Sequence, residues 1–180
     1  MRTNMETGRS MIEMMGVLAV IGVLSVGGFS MISKVSNSQK TSAIMDEIST
    51  LAGKTRSVVR EYDDGNTGDE YSGLGGFVLK SKAYPAEVEW SSGCNCFIGT
   101  DEVTYTLTYK KTNTSLFELQ VAGMSAETCM DVVTTSWGSV GTNGFVKLAI
   151  GSKTSATPLG IGEAPTYCNS DSNTVTFTFR

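Results

Sequence analysis

From Met14 to Ile32 the chain runs nineteen residues without one ionisable side chain. Coiled as a helix, such a run is long enough to cross a hydrocarbon core of roughly 30 Å. Glu13 stands directly ahead of it, with Arg9 four residues earlier. A carboxylate at the edge of a bilayer costs on the order of a few kcal/mol and is usually kept for a named cationic partner. The sequence therefore predicts a membrane segment whose mouth asks for a positive charge.

Two simpler readings compete for the same stretch. A cleaved secretory signal peptide would place its cut near Ser25 to Gly28, but apolar regions of such peptides run about 7 to 15 residues and do not normally open with a glutamate. A plain single-span anchor, carrying an exported binding domain, explains the apolar run and leaves Glu13 without a role.

Composition narrows the options for the rest of the chain. The net charge is −4, and the lysines and arginines are scattered with no long basic run, so nothing marks a nucleic-acid surface. The chain has no histidine, which removes Ser-His-Asp and Cys-His arrangements, most zinc sites and the commonest general base. A non-enzymatic protein without cofactor or metal is the resulting expectation. All four cysteines, Cys94, Cys96, Cys129 and Cys168, come after the apolar run, an even number suited to an oxidising compartment.

After Ser33 the pattern becomes amphipathic. Ile44, Ile48, Leu51, Thr55, Val58 or Val59 and Tyr62 recur at steps of three and four on one helical face, while Asp46, Glu47, Lys54, Arg56 and Arg60 occupy the remaining positions. With no proline between Arg9 and Tyr62, one helix of about 50 residues is predicted, roughly 75 Å long. It should end near Asp63, where DDGNTGDE gathers turn residues. Asp63, Asp64, Asn66 and Asp69 offer oxygen atoms to calcium, but the spacing fails an EF-hand loop, and a solvated acidic loop is the better reading.

Tyr71 to Gly99 is rich in Gly and Ser and holds LGGFVLKSKAYPAEVEW as a short strand or helix. Cys94-Asn95-Cys96 lies inside this region. Residues two apart in a strand share a face, yet about 6.5 Å separates them, so a mutual bond needs a bend. A local Cys94–Cys96 bond is favoured, with bonds to Cys129 and Cys168 or a two-thiolate metal or redox site as open alternatives.

Strict alternation predicts a strand over Glu102–Lys111 with Val103, Tyr105, Leu107 and Tyr109 on one face, a turn over Thr112–Thr114 and a return over Leu116–Val121. Ser125 is placed to cap a short helix reaching Thr134 and carrying Cys129, Val132 and Val133 on one side. Gly144–Ile150 reads as a strand, Thr154–Tyr167 as a loop, and Asn173–Arg180 as a closing strand with Val175, Phe177 and Phe179 inward. The class expected is α+β with an antiparallel sheet.

Gly8, four residues, Glu13, then the apolar run: this N-terminus resembles that of type IV prepilins and pseudopilins. The resemblance implies that a prepilin peptidase cuts after Gly8 and methylates the new amine of Arg9. Glu13 then pairs with the N-terminal amine of a neighbouring subunit during assembly. Arg9 stands where members usually carry Phe or Met. Gly22, Gly27 and Gly28 fall where the family's helix is often unwound in the filament. The resemblance also implies the type IV pilin fold, a long N-terminal helix packed on an antiparallel sheet. In it a Cys129–Cys168 bond encloses the C-terminal D-region, stabilising by about 3 to 4 kcal/mol in the chain-entropy model.

The order of elements resembles type IVb and conjugative thin-pilus major pilins, whereas the short leader is like that of the type IVa group. The implied division is 1–8 leader, 9–33 transmembrane and filament-core half of the helix, and 34–180 globular domain. The last comprises helix 34–62, a variable loop 63–101, and sheet with D-region 102–180. The implied function is a structural subunit of a type IV pilus, a homo-oligomeric filament. Its partners are the prepilin peptidase, the inner-membrane assembly machinery and, before assembly, the membrane itself. Its location is the inner membrane and then the cell surface of a Gram-negative bacterium. A type II secretion pseudopilin or a minor pilin is the nearest alternative; pseudopilins usually lack the C-terminal disulfide, and several minor subunits lack the glutamate.

Overall fold

The structure, a computed structural model, describes residues 7–63, 73–110, 116–138 and 144–180 and, within the first helix, the side chains of residues 14–19 and 36–59. Helix α1 runs Thr7–Asp63. It is followed by α2 (Gly73–Lys80), β1 (Glu89–Ser91), β2 (Cys96–Ile98), a 3-10 turn (Thr100–Glu102), β3 (Thr104–Lys110) and β4 (Leu116–Met124). Then come α3 (Ala126–Thr134), β5 (Phe145–Ile150), β6 (Lys153–Ser155), α4 (Ala164–Tyr167) and β7 (Asn173–Phe179). Residues 1–39 form one compact unit and residues 40–180 another.

The second unit is built on one seven-stranded sheet in the order β1-β2-β3-β4-β7-β5-β6, with every pairing antiparallel. Alternation explains its buried face. Side chains repeat every second residue along a strand, so in-register partners form rows across neighbouring strands. Tyr105, Val121, Val175 and Ile150 make one row across β3, β4, β7 and β5. Leu107, Leu119, Phe177 and Leu148 make the second, and Tyr109, Phe117, Phe179 and Phe145 the third. All twelve are buried.

Two helices add to the same apolar cluster: Ile44, Ile48, Leu51 and Val59 of α1, and Cys129, Val132 and Val133 of α3. Ser125 caps α3 by accepting a bond from the Thr128 N–H at 3.2 Å. Trp137, just beyond α3, donates its indole N–H to the Val132 carbonyl at 2.8 Å and meets Phe177 edge-on at 5.0 Å. Gly144 opens β5 at φ 74°, and a Cβ there would stand 2.6 Å from the Arg180 carbonyl, so only glycine fits between the two strands.

The type IV pilin fold implied by the sequence resemblance is corrected here. The sheet-bearing unit is dominated by the seven-stranded antiparallel sheet, with short helices beside the part of α1 that belongs to it, and the picture of a long apolar helix laid on a sheet does not describe it. Only the part of α1 from Lys40 onward belongs to the sheet-bearing unit. Among the described residues no helix is long and apolar enough to cross a membrane. The physical reason lies in where burial comes from. The helix contributes a single amphipathic stripe between Thr41 and Val59, while the three cross-strand rows supply the larger share of the buried side chains.

Smaller differences have local causes. Within the region read as a variable loop over 63–101, LGGFVLKSKAYPAEVEW is expected to hold a short strand or helix and does hold most of α2 and the start of β1; β2, and β6 and α4 within the loop predicted over Thr154–Tyr167, are not expected from the sequence. Three- and four-residue elements are too short to show a period. The turn at Thr112–Thr114 and the acidic stretch from Asp64 to Asp69 lie outside the described residues, as does the side chain of Asp63.

Phe177 sits in the central row of a strand bonded on both sides, touching β4, β5 and Trp137. Phe177→Ala should lower unfolding free energy by about 3–5 kcal/mol, measured by chemical denaturation, whereas Thr174→Ala on the exposed side should change it by less than about 0.5 kcal/mol.

Candidate functional site

The most constrained polar cluster lies where α1 meets the β2–β3 connection. Glu47 is only 4% exposed, although charged residues seldom go under without partners. Its two carboxylate oxygens accept from the Thr100 backbone N–H at 3.1 and 3.2 Å, and Oε1 also accepts from the Thr100 hydroxyl at 2.7 Å. Oε2 accepts from the Tyr105 hydroxyl at 2.6 Å. The sequence period puts Glu47 among the positions off the apolar face; the structure turns it inward, because these donors await it there.

The connection itself is shaped around that carboxylate. Asp101 and Glu102 both take left-handed backbone angles, φ 59° and 60°, a conformation that costs non-glycine residues of order 1–3 kcal/mol each. Short backbone bonds hold the bend, from Gly99 N–H to the Val103 carbonyl at 2.9 Å and from Val103 N–H to the Thr100 carbonyl at 3.2 Å. Lys40 binds Asp101 at 2.5 Å from the other side. At Gly99 a Cβ would collide with the Glu47 carboxylate and stand 2.7 Å from the Tyr105 ring, so no side chain is tolerated. An open pocket of about 390 Å3 lies above, lined by Ala43, Asp46, Glu47, Thr50, Pro85, Glu87 and Thr100.

The electrostatics favour anchoring over proton transfer. Tyr105 has its pKa pushed well above the ordinary 10.0, chiefly by burial, then by its hydrogen bond to Glu47 and by the Glu47 charge. It therefore remains a phenol donor at any ordinary pH. Among the described residues no group of three or more acidic or sulfur side chains is arranged to hold a metal ion. The cluster fixes one point of α1 to the sheet and offers no nucleophile.

The cysteines resolve into two bonds, Cys94–Cys96 with Cα atoms 5.2 Å apart and Cys129–Cys168 with Cα atoms 5.7 Å apart. Asn95, at φ 55°, makes the bend that an extended Cys-Asn-Cys segment lacks. Cys129 on α3 and Cys168 after α4 are both buried and enclose β5, β6 and α4. The other residues singled out by sequence are not brought into this unit. Gly8, Arg9, Glu13, Gly22, Gly27 and Gly28 belong to the first unit, and their surroundings lie outside the described residues.

Glu47 is the residue that sequence reasoning missed. The available signal was its position: it falls three residues after Ile44 and four before Leu51, which puts it beside the apolar stripe. No protein-family model, no curated protein and no solved structure matches the chain.

Two outcomes check the cluster. Glu47→Gln puts a donor where three donors converge and should cost about 2–3 kcal/mol in urea denaturation, against less than about 0.5 kcal/mol for the exposed neighbour Asp46→Asn. Because folding raises the Tyr105 pKa, its contribution is fully present below about pH 10, the unfolded value, and is lost as pH rises beyond it. Denaturation midpoints measured from pH 8 to 12 should fall above pH 10, and fall less steeply in Tyr105→Phe.

Proposed function

We propose that this chain is a structural filament subunit of the type IV pilus class, matured by cleavage between Gly8 and Arg9 and polymerised through its N-terminal helix. The observation that carries the proposal is the sequence of Gly8, Arg9 and Glu13 directly ahead of the uncharged run from Met14 to Ile32. It rests on that N-terminal motif and not on the fold of the sheet-bearing unit.

Three features support it. Helical backbone is assigned from Thr7 to Asp63, so the residues that follow the motif are helical, as polymerisation through an N-terminal helix requires. Met14, Met15, Val17 and Leu18 have 56% to 73% of their surface exposed, and a contiguous apolar surface of this kind calls for lipid or another chain to cover it. The two disulfides suit a domain that works in an oxidising compartment.

In the proposed sequence of events the apolar run holds the precursor in the inner membrane. The peptidase frees the Arg9 amine, the Glu13 carboxylate docks on that amine in a neighbour, and the apolar helices associate. An uncompensated carboxylate is costly in lipid, so the pairing favours incorporation of subunits in register. The sheet-bearing domains then face water on the cell surface.

Glu13→Val should abolish surface filaments, seen by electron microscopy of cells, while leaving a cleaved protein in the membrane fraction. Edman sequencing of the mature wild-type chain should begin at Arg9. Normal filaments from the Glu13→Val chain would overturn the assembly role, and any other first residue would overturn the cleavage assignment.

A further inference from the structure

The Cys94–Cys96 bond differs from its partner disulfide in exposure, which governs exchange with thiols, and in loop length, which governs how much the fold relies on the bond. Cys94 is exposed and Cys96 is 2% exposed, whereas Cys129 and Cys168 are 0% and 2% exposed. The first pair is separated by 2 residues in sequence and the second by 39. In the chain-entropy model a bond across so short a loop restrains the unfolded chain far less, so its loss costs the fold far less than loss of the Cys129–Cys168 bond.

We propose that Cys94–Cys96 is a thiol–disulfide exchange site for low-molecular-weight thiols of the glutathione class, opened at Cys94 while the fold stays intact. The bond needs a left-handed residue between its ends: the Cα atoms stand 5.2 Å apart and Asn95 has φ 55°, where an extended pair would be separated by roughly 6.5 Å. Asparagine tolerates that conformation better than most residues, so the bend is available without being costly.

What holds the hairpin does not depend on the sulfurs. Glu89, Trp90 and Ser91 pair with Ile98, Phe97 and Cys96, and the Trp90 ring meets Phe97 edge-on at 4.9 Å. The far edge of the same indole lies against α2, 3.2 Å from where a Cβ on Gly75 would be. Phe97 also meets Tyr84 at 5.2 Å. After reduction the Cys94 thiol finds an acceptor already placed, the Ser91 carbonyl 3.7 Å from its sulfur. That contact is no hydrogen bond while the disulfide is intact, since the sulfur then carries no proton.

The exchange balances with the thiol as the only reductant. A thiolate attacks the Cys94 sulfur along the S–S axis; a new bond forms between the two, the Cys94–Cys96 bond breaks, and the departing Cys96 sulfur takes a proton from water. A second thiolate attacks the small thiol's sulfur in this mixed disulfide, releasing the oxidised small thiol and Cys94 as a thiol. Two small thiols are oxidised and one protein disulfide is reduced. Burial of Cys96 disfavours its departure as a thiolate and slows each attack, while access directs attack to Cys94.

The test uses the purified full-length chain in detergent, equilibrated without denaturant in glutathione buffers of graded ratio, quenched with N-ethylmaleimide and mapped by peptide mass spectrometry. Cys94 and Cys96 should be alkylated at a reducing ratio at least about tenfold lower than Cys129 and Cys168, with circular dichroism unchanged. Simultaneous opening of both pairs, or opening of Cys94–Cys96 only on unfolding, would overturn the proposal. Oxidised glutathione should form a mixed disulfide readily on the Cys96→Ser chain and at least tenfold more slowly on Cys94→Ser. Equal rates would overturn attack at Cys94, and the wild-type mapping decides the matter if either variant fails to fold. The readout is independent of filament assembly.

Discussion

Strand β7 follows every other strand of the sheet in the chain yet sits near the sheet's middle, bonded to β4 on one side and β5 on the other. Until it is in place the sheet is two pieces: a β1-β2-β3-β4 meander and a β5–β6 hairpin. Val175, Phe177 and Phe179 each supply the middle of a row that crosses four strands, so apolar burial and backbone pairing are completed together. Such a strand makes the fold cooperative, because neither half can keep its buried face without it. It also explains the placement of the Cys129–Cys168 bond, which shortens the excursion between β4 and β7 and so lowers the entropy lost in bringing β7 home.

The helix is tied to this sheet by two different kinds of force. Ile44, Ile48 and Leu51 join the apolar cluster, which is non-directional and would accept small rotations and slides. Glu47 removes that freedom, since its oxygens must meet the Thr100 N–H, the Thr100 hydroxyl and the Tyr105 hydroxyl at once. A buried carboxylate with any of these donors missing would carry a desolvation penalty of several kcal/mol, so the register of α1 on the sheet is specified by a polar contact inside an apolar setting. The left-handed residues Asp101 and Glu102 show that the β2–β3 connection bends to meet it.

Much of the sheet was legible in the chain. The alternation in TYTLTYK and NTVTFTF predicted β3 and β7 with the correct faces, and Ser125 announced the start of α3. Strands of three residues, β1, β2 and β6, were not legible because a period of two needs more repeats to stand out from chance. The four-residue α4 was hidden for the same reason. The type IV pilin fold inferred from the N-terminal motif was overturned, since a motif of a few residues that serves processing and assembly constrains only the segment that carries it. The candidate cleavage and assembly residues were legible only as sequence, and they remain a proposal about the first unit of the chain.

By itself the sequence determined the periodicities: an uncharged run from Met14 to Ile32, an amphipathic stripe from Ile44 to Tyr62, alternating strands and an even set of cysteines. These are local properties, written in the spacing of apolar side chains. Tertiary structure alone decided that β7 enters between β4 and β5, that the Cys94–Cys96 bond favoured by the sequence is made through a left-handed Asn95, and that Glu47 points inward. Each depends on groups far apart in the chain, or on a backbone bend that no period announces. A carboxylate is buried only when its donors are brought to it, and Thr100 and Tyr105 lie more than fifty residues from Glu47 in sequence.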